Sequence, residues 1–260
     1  QDRVRGLKFR GALFTNLTHD HLDYHGTYAE YIKAKKLLFD RLDKQAFALV
    51  NVDDRNGEVM VQNCRAHVVR YSLRQMADYR AKVLEMLFDG MLLRVNSHDV
   101  WVKFLGRFNA YNLLTVYGAA LLLGFDKEEV LAHLSALRPV SGRFETVLAK
   151  DGTTAVVDFA HTPDALENII NTIDELRQNG QRLIVVCGCG GDRDTSKRAP
   201  MGRIAERYAD RIIVTSDNAR SEEPNKIIRD ILAGMRQREK RAVIVNRRRA
   251  IRHAILCAQE

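Results

Sequence analysis

The sequence predicts an α/β protein of two domains: a first with a mainly parallel sheet that includes an antiparallel portion, and a second built on regular strand–helix alternation. Three observations carry this reading. Buried-strand runs and amphipathic helical patterns alternate through the first 140 residues. Period-two alternation is concentrated between Tyr79 and Leu105. From Phe144 onward, short apolar runs alternate with helical segments, as in a parallel sheet with crossover helices. The change of rhythm places the boundary near Pro139 to Gly142 and the domains over 1–140 and 141–260.

Each element has a local reason. Leu13 to Leu17 reads as a short buried strand, and Tyr28 to Arg41 as an amphipathic helix with Tyr31, Ala34, Leu37 and Leu38 on its apolar face. Phe47 to Asn51 is a second buried strand, closed by the turn-forming run Asp53 to Gly57. Asp89-Gly90 and Asn96 to Asp99 mark hairpin turns within the alternating stretch. Helices are expected from Asn109 to Leu123 and from Lys127 to Leu137, where Arg138-Pro139 breaks the pattern. In the second domain the expected strands are Thr154 to Phe159, Arg182 to Cys187, Arg211 to Ser216 and Ala242 to Val245. The intervening helices are Pro163 to Gln178, Met201 to Tyr208, Asn225 to Met235 and Arg248 to Ala258.

Composition bounds the function. At 260 residues, 46% hydrophobic and 28% charged, the chain can bury a sizeable core, which excludes disorder and small disulfide scaffolds. A formal charge of +8 favours anionic partners, without choosing among nucleotides, nucleic acid and acidic metabolites. The four cysteines, Cys64, Cys187, Cys189 and Cys257, form neither a disulfide framework nor a CxxC zinc motif, so a reducing cytoplasm is the expected compartment. The longest apolar runs fall far short of the roughly 20 residues a membrane span needs. The basic stretch Arg236 to Arg252 is interrupted by Val243, Ile244, Val245, Ile251 and Ile255 at core spacing, which reads as a solvated face rather than a nucleic-acid arm. A chain that opens on Gln1 and stops at Glu260 within a helical pattern reads as an internal segment of a longer product.

The densest polar cluster, Thr15 to Gly26, follows a buried strand and holds three His and two Asp within seven residues. It reads as a divalent-metal and phosphate site, or else as a polar loop capping the helix that follows. Lys35, placed on the inward side of that helix near Ala34 and Leu38, reads by itself as a snorkelling lysine. Asn109 is expected to cap a helix, with Asn112 on the same face and able to present an amide to a base or ribose. Ser141 to Glu145 puts the charged pair Arg143 and Glu145 at the domain junction. Asp158 and His161 stand at the carboxyl edge of the second sheet. The run Cys187 to Asp194 leads from a strand into a glycine-rich loop able to approach an anion, although it is not GxxxxGK[ST]. Asp217 and Arg220 suit the amine and carboxylate of a zwitterion, or form a turn that starts a helix.

Taken together and in this order, TNLTHDHLDYHG, AKKLLF, GRFNAYN, SGRFE, DFAHTPDALE, GCGGDRD and DNARSEEP resemble the Mur ligases over nearly the whole chain. The resemblance implies the later part of a central ATPase domain, followed by most of a Rossmann-like domain that receives an amino acid. It implies an ATP-dependent reaction: the glutamate carboxylate of UDP-N-acetylmuramoyl-L-alanyl-D-glutamate is phosphorylated, and a diamino acid attacks the acyl phosphate. It implies magnesium held by His21 and by Lys35 as a carbamate, with Asp20 and His25 in the same shell. It assigns ATP to Asn109, Asn112, Arg143, Asp158 and His161, the muramoyl dipeptide to Gln1 and Arg3, and the amino acid to Arg193, Asp217, Asn218, Ala219 and Arg220. Relatives that add meso-diaminopimelate carry DNPR, whose arginine grips the distal carboxylate, so Arg220 points to that substrate. Ala219 in place of proline leaves L-lysine or another diamino acid as the alternative.

The phosphate loop, the uridine-nucleotide domain, an upstream metal-binding glutamate and a final GKGHE-like segment do not occur in this chain. Activity is therefore expected of an intact parent, a cytoplasmic monomer with no nucleic-acid or membrane contact. Competing readings are a cyanophycin-synthetase-like or folylpolyglutamate-synthetase-like amide ligase, and a non-catalytic nucleotide- or nucleic-acid-binding module.

Overall fold

The strand Phe47–Asn51 (β2) is buried at every position, and that organises the first half of the molecule. Phe47 and Leu49 join one core cluster while Ala48 and Val50 join another, so both faces of this central strand are covered, as parallel sheets require. The structure is a computed structural model that describes Val4 and residues 6–17, 27–178 and 180–259. The chain forms two compact units, Gln1–Pro139 and Val140–Glu260.

In the first unit, Gly11–Phe14 (β1), β2 and His67–Ser72 (β3) pair in parallel. The order β1-β2-β3 then continues through Tyr79–Leu87 (β4), Gly90–Val95 (β5) and His98–Val102 (β6). β4 meets β3 in parallel at Tyr71↔Tyr79, and the two hairpins β4–β5 and β5–β6 are antiparallel. Both expected turns are therefore present, with Asn96 at φ 51° in the second. Helices Tyr28–Asp40 (α1) and Gly57–Val61 (α2) pack on one side, Arg107–Leu122 (α3) and Lys127–Ala136 (α4) on the other. β3 and α2 were not anticipated. The inward face of α1 also differs from expectation: its buried residues are Tyr31 and Phe39, whereas Ala34 and Lys35 are exposed and Leu37 and Leu38 are 43% and 38% exposed.

In the second unit, Glu145–Leu148 (β7) and Thr154–Val157 (β8) form an antiparallel hairpin. Ile184–Cys187 (β9), Arg211–Val214 (β10) and Arg241–Val243 (β11) form a separate parallel sheet of order β11-β10-β9. Pro163–Leu176 (α5), Arg198–Tyr208 (α6) and Pro224–Leu232 (α7) share one apolar cluster with β9 and β10, and Arg247–Gln259 (α8) follows β11. The expectation that Thr154 to Phe159 belongs to the parallel sheet is corrected, because among the described residues β8 pairs only with β7. Helix starts follow local chemistry. Thr162 accepts from the Ala165 amide ahead of Pro163, and Glu223 accepts from the Asn225 and Lys226 amides ahead of Pro224. No helix among the described residues is long and apolar enough to cross a membrane.

Candidate functional site

The C-terminal ends of β1, β2 and β3 carry a set of polar side chains that fix the backbone leaving β1. Asn51 Nδ2 donates to the Thr15 carbonyl at 2.8 Å, and the Leu17 amide donates to Asp54 Oδ2 at 3.1 Å. Tyr71 donates to the Phe14 carbonyl, Tyr28 to the Leu17 carbonyl, and Asn56 Nδ2 to the Tyr28 hydroxyl. These bonds cross 57 residues at the widest, so they exist only once the sheet has formed. They deliver residue 17 to a fixed point at the sheet edge where α/β folds place ligands. Asp20, His21 and His25 lie outside the described residues, as do Gln1 and Arg3. The chain returns at Thr27, which caps α1 by accepting from the Glu30 amide at 3.2 Å. Lys35, two turns on, is exposed; its ammonium sits 5.4 Å from the centre of the Tyr31 ring and forms no ion pair among the described residues. Among those residues, no three His, Cys, Asp or Glu side chains are grouped so as to hold a metal.

Asp53 links this edge to the helix bearing the asparagines. It accepts from Ser72 Oγ at 2.7 Å, the Leu73 amide at 2.8 Å and the Tyr111 hydroxyl at 2.8 Å. Burial opposes its ionisation, but these bonds and a weaker one from Gln75 prevail and hold its pKa below the ordinary carboxylate value. Asn109 is not the helix cap; Gly106, at φ 89°, occupies that position without a side-chain bond. Asn109 Nδ2 instead reaches back to the Leu105 carbonyl at 2.8 Å, while Asn112 Nδ2 donates to Asn109 Oδ1 at 3.3 Å. The shared face is as expected, with Asn112 exposed at its edge.

In the second unit, Arg143, Asp158 and His161 gather around Phe159, a residue the sequence reading passed over. The Arg143 guanidinium lies 4.7 Å from the centre of the Phe159 ring, which is 60% exposed, and the His161 ring meets it edge-on at 5.1 Å. Asp158 accepts from the Phe144 amide at 2.8 Å and the Ala160 amide at 2.7 Å, which fixes both arms of the group. The expected charged pair does not form: Glu145 accepts from Ser141 Oγ and the Gly142 amide.

The remaining predicted residues lie on two loops that leave adjacent strands, 188–197 after β9 and 215–223 after β10. The glycines of the first loop serve the second. A Cβ on Gly188 would stand 2.5 Å from the Thr215 carbonyl oxygen, and one on Gly191 would stand 1.9 Å from that of Ala219. The Gly191 amide donates to the Asn218 carbonyl at 2.9 Å, and Arg220 Nη1 donates to the Gly191 carbonyl. Arg193, Asp217, Asn218 and Arg220 are all exposed at this seam. Asp192 and Arg220, one on each loop, both take φ 50°, a conformation rare outside glycine.

Sequence reasoning missed the groups that tie the loops together. The Ser221 amide and hydroxyl donate to Asp192, and the Asp192 amide donates to Glu222 at 2.7 Å. Arg198 grips Glu222 with both terminal nitrogens, at 3.0 and 2.7 Å. The available signal was a basic pair, Lys197-Arg198, after one loop and an acidic pair, Glu222-Glu223, after the next. The Arg198 bonds, followed by the bond from the Asp192 amide, push the Glu222 pKa from 4.5 down to about 2. A depressed carboxylate adds stability above its unfolded value and loses it as pH falls through the folded one. Thermal scans of wild type and Glu222→Gln from pH 7 to pH 2 should therefore differ most above pH 4.5, with the gap closing toward pH 2. A gap independent of pH would show that the Glu222 charge does not hold the seam.

Comparison with known proteins shows what the chain is similar to. The Mur ligase middle domain model matches residues 1–120, and the Mur ligase glutamate ligase domain model matches residues 142–260. The UDP-N-acetylmuramoyl-L-alanyl-D-glutamate–2,6-diaminopimelate ligase of Phocaeicola vulgatus is 55% identical over 261 residues, covering 100% of this chain and 54% of the relative. Its Bacteroides thetaiotaomicron counterpart is 51% identical over 262 residues with the same coverage. A solved structure of a ligase with the same name superposes with a TM-score of 0.61 at 34% identity, covering 95% of this chain and 52% of that one. The chain thus spans about half the length of the curated relatives it matches.

Proposed function

The chain belongs to the Mur ligase family, and from that premise we propose that it forms part of an ATP-dependent ligase that adds meso-diaminopimelate to UDP-N-acetylmuramoyl-L-alanyl-D-glutamate in the cytoplasmic synthesis of peptidoglycan precursors. The observation that carries the choice of acceptor is Arg220 at the seam of the two loops, exposed beside Arg193, Asp217 and Asn218. An amino acid with a second carboxylate needs a fixed cation for that carboxylate and acidic or carbonyl oxygens for its ammonium. A guanidinium held at a loop junction and an exposed aspartate provide both. The names of the relatives at 55% and 51% identity support the same substrate.

In the proposed reaction, the glutamate carboxylate of the muramoyl dipeptide nucleotide attacks the γ-phosphorus of ATP. ADP leaves and an acyl phosphate forms. The acceptor amine then attacks the acyl carbon and expels inorganic phosphate as the amide bond closes. Asn109, Asn112, Asp158 and His161 are assigned to the base and ribose of ATP and Arg143 to the nucleotide, with Asp158 acting through the backbone it fixes. Gln1 and Arg3 are assigned to the muramoyl dipeptide.

His21 and Lys35 are the residues that would hold magnesium, which when bound neutralises charge at the phosphates. As an ammonium, Lys35 would repel the ion. The exposed amine, free of ion pairs among the described residues, fits addition to carbon dioxide with loss of a proton, which gives an anionic oxygen donor.

The test uses the intact parent with ATP, magnesium and the muramoyl dipeptide nucleotide. Phosphate release is measured with meso-diaminopimelate, L-lysine or L-ornithine as acceptor. Release with diaminopimelate alone is expected. Release only with another acceptor would keep the ligase class and overturn the role given to Arg220, and no release with any acceptor would overturn the ligase reading.

A further inference from the structure

Arg198 is the most deeply buried charged residue among the described residues. It stands at the start of α6, its side chain 1% exposed, and four of its five N–H groups are used. Nη1 donates to Glu222 Oε2 and Asp230 Oδ2, and Nη2 to Glu222 Oε1 and the Gly190 carbonyl. The fifth group, Nε, is buried without a partner. A buried ion pair is poor value as a source of stability, since apolar residues of the same volume often do as well. An apolar residue cannot, however, grip a carbonyl of one loop and a carboxylate of the next at the same time. Arg198 does that, and the Glu222 carboxylate it holds in turn receives the Asp192 amide. Ser221, next to Glu222, closes the circuit on Asp192. The two residues in left-handed backbone, Asp192 and Arg220, adjoin Arg193 and Ser221 in this circuit.

We propose that Arg198 is a positioning residue for acceptor binding: without touching the acceptor, it fixes the spacing of the two loops so that Arg193 on one and Asp217, Asn218 and Arg220 on the other face a single amino acid. This rests on the acceptor role proposed above for those four residues. A fork that spans two loops sets a distance, whereas a point charge on a flexible stem does not. Lysine at 198 keeps the charge and loses that distance.

The experiment measures steady-state kinetics of the intact parent as wild type, Arg198→Lys, Arg198→Met and Ser221→Ala, varying each of the three substrates in turn. The expected result for Arg198→Lys is an acceptor KM raised at least tenfold, the KM values for ATP and the muramoyl dipeptide nucleotide within about twofold of wild type, and kcat at saturating acceptor within about threefold. Arg198→Met should show a larger rise in acceptor KM. Ser221→Ala, an exposed deletion that leaves Arg198 in place, should give a two- to threefold rise. Acceptor KM values unchanged in folded variants, or all three KM values rising together, would overturn the proposal. If neither Arg198 variant folds, Ser221→Ala decides alone, and an unchanged acceptor KM in it overturns the proposal. If the parent shows no ligase activity, amide hydrogen exchange still tests the loop geometry. Faster exchange in Ser221→Ala confined to 188–194 and 217–223 supports the positioning role and leaves the acceptor reading as the failure. Exchange unchanged there, or faster throughout the second unit, overturns it.

Discussion

Replacing Lys35 with alanine in the intact parent is expected to lower turnover by at least about 100-fold, the scale on which removing one preorganised electrostatic partner of a reacting centre is felt. The structure makes the experiment clean. Lys35 is exposed on α1, its ammonium lies over the Tyr31 ring, and it holds no ion pair among the described residues. Its loss should change stability by no more than about 0.5 kcal/mol, and alanine is the better helix former. A large loss of turnover with an unchanged unfolding temperature would therefore be chemical in origin. Adding formate or acetate should restore part of the rate by supplying the missing carboxylate oxygen. Normal turnover in the variant would remove Lys35 from the metal site.

A second substitution should act through space alone. Gly191→Ala would put a Cβ 1.9 Å from the Ala219 carbonyl oxygen and 2.7 Å from its carbon, both backbone atoms that no rotamer change can move. The loops must part by about 1 Å, breaking the Gly191 to Asn218 bond. The expected cost is about 3 kcal/mol, the upper end of overpacking, which corresponds to roughly 12 °C in a unit of about 120 residues. Gly190→Ala is the control, because its nearest neighbour is the end of the Arg220 side chain at 3.0 Å, which can swing away. Calorimetry of the intact parent should show the transition of the second unit lowered in Gly191→Ala and little changed in Gly190→Ala. Equal transitions would mean that the seam tolerates an opening of that size.

Much of the fold was legible because its signals are local. The apolar run Phe47 to Val50 of β2, the Asp89-Gly90 turn and the turn at Asn96 are each properties of a few neighbouring residues, and the structure keeps all three. The parts that were not legible depend on partners. The sequence of β8 suits a parallel or an antiparallel neighbour equally, and only tertiary contact selects β7. Leu37 and Leu38 lie on an apolar-looking face of α1 that the described core does not cover, while the buried pair Tyr31 and Phe39 is two turns apart. Five residues are too few for α2 to show a helical period.

The same division runs through the site. Arg193, Asp217, Asn218 and Arg220 stood out because polar residues after a strand have few structural reasons to be there. Arg198 did not, because the sequence starts the helix at Met201 and an arginine in the loop before it looks like a solvent residue. Its partners Glu222 and Asp230 are 24 and 32 positions away and reach it only through the pairing of β9 with β10. On sequence alone the glycines offer room for an anion. At Gly188 and Gly191 the room is taken by the neighbouring loop.

The crossed bonds between the loops bear on how acceptor preference can be re-engineered. Grafting the segment 217–222 from a relative with another acceptor would import new side chains onto a partner loop cut for the old backbone, because Gly191 fits Ala219, Asp192 holds Ser221 and Arg198 holds Glu222. The transplantable module is the pair of loops together with the first turn of α6, and recombination libraries should place their crossovers outside it.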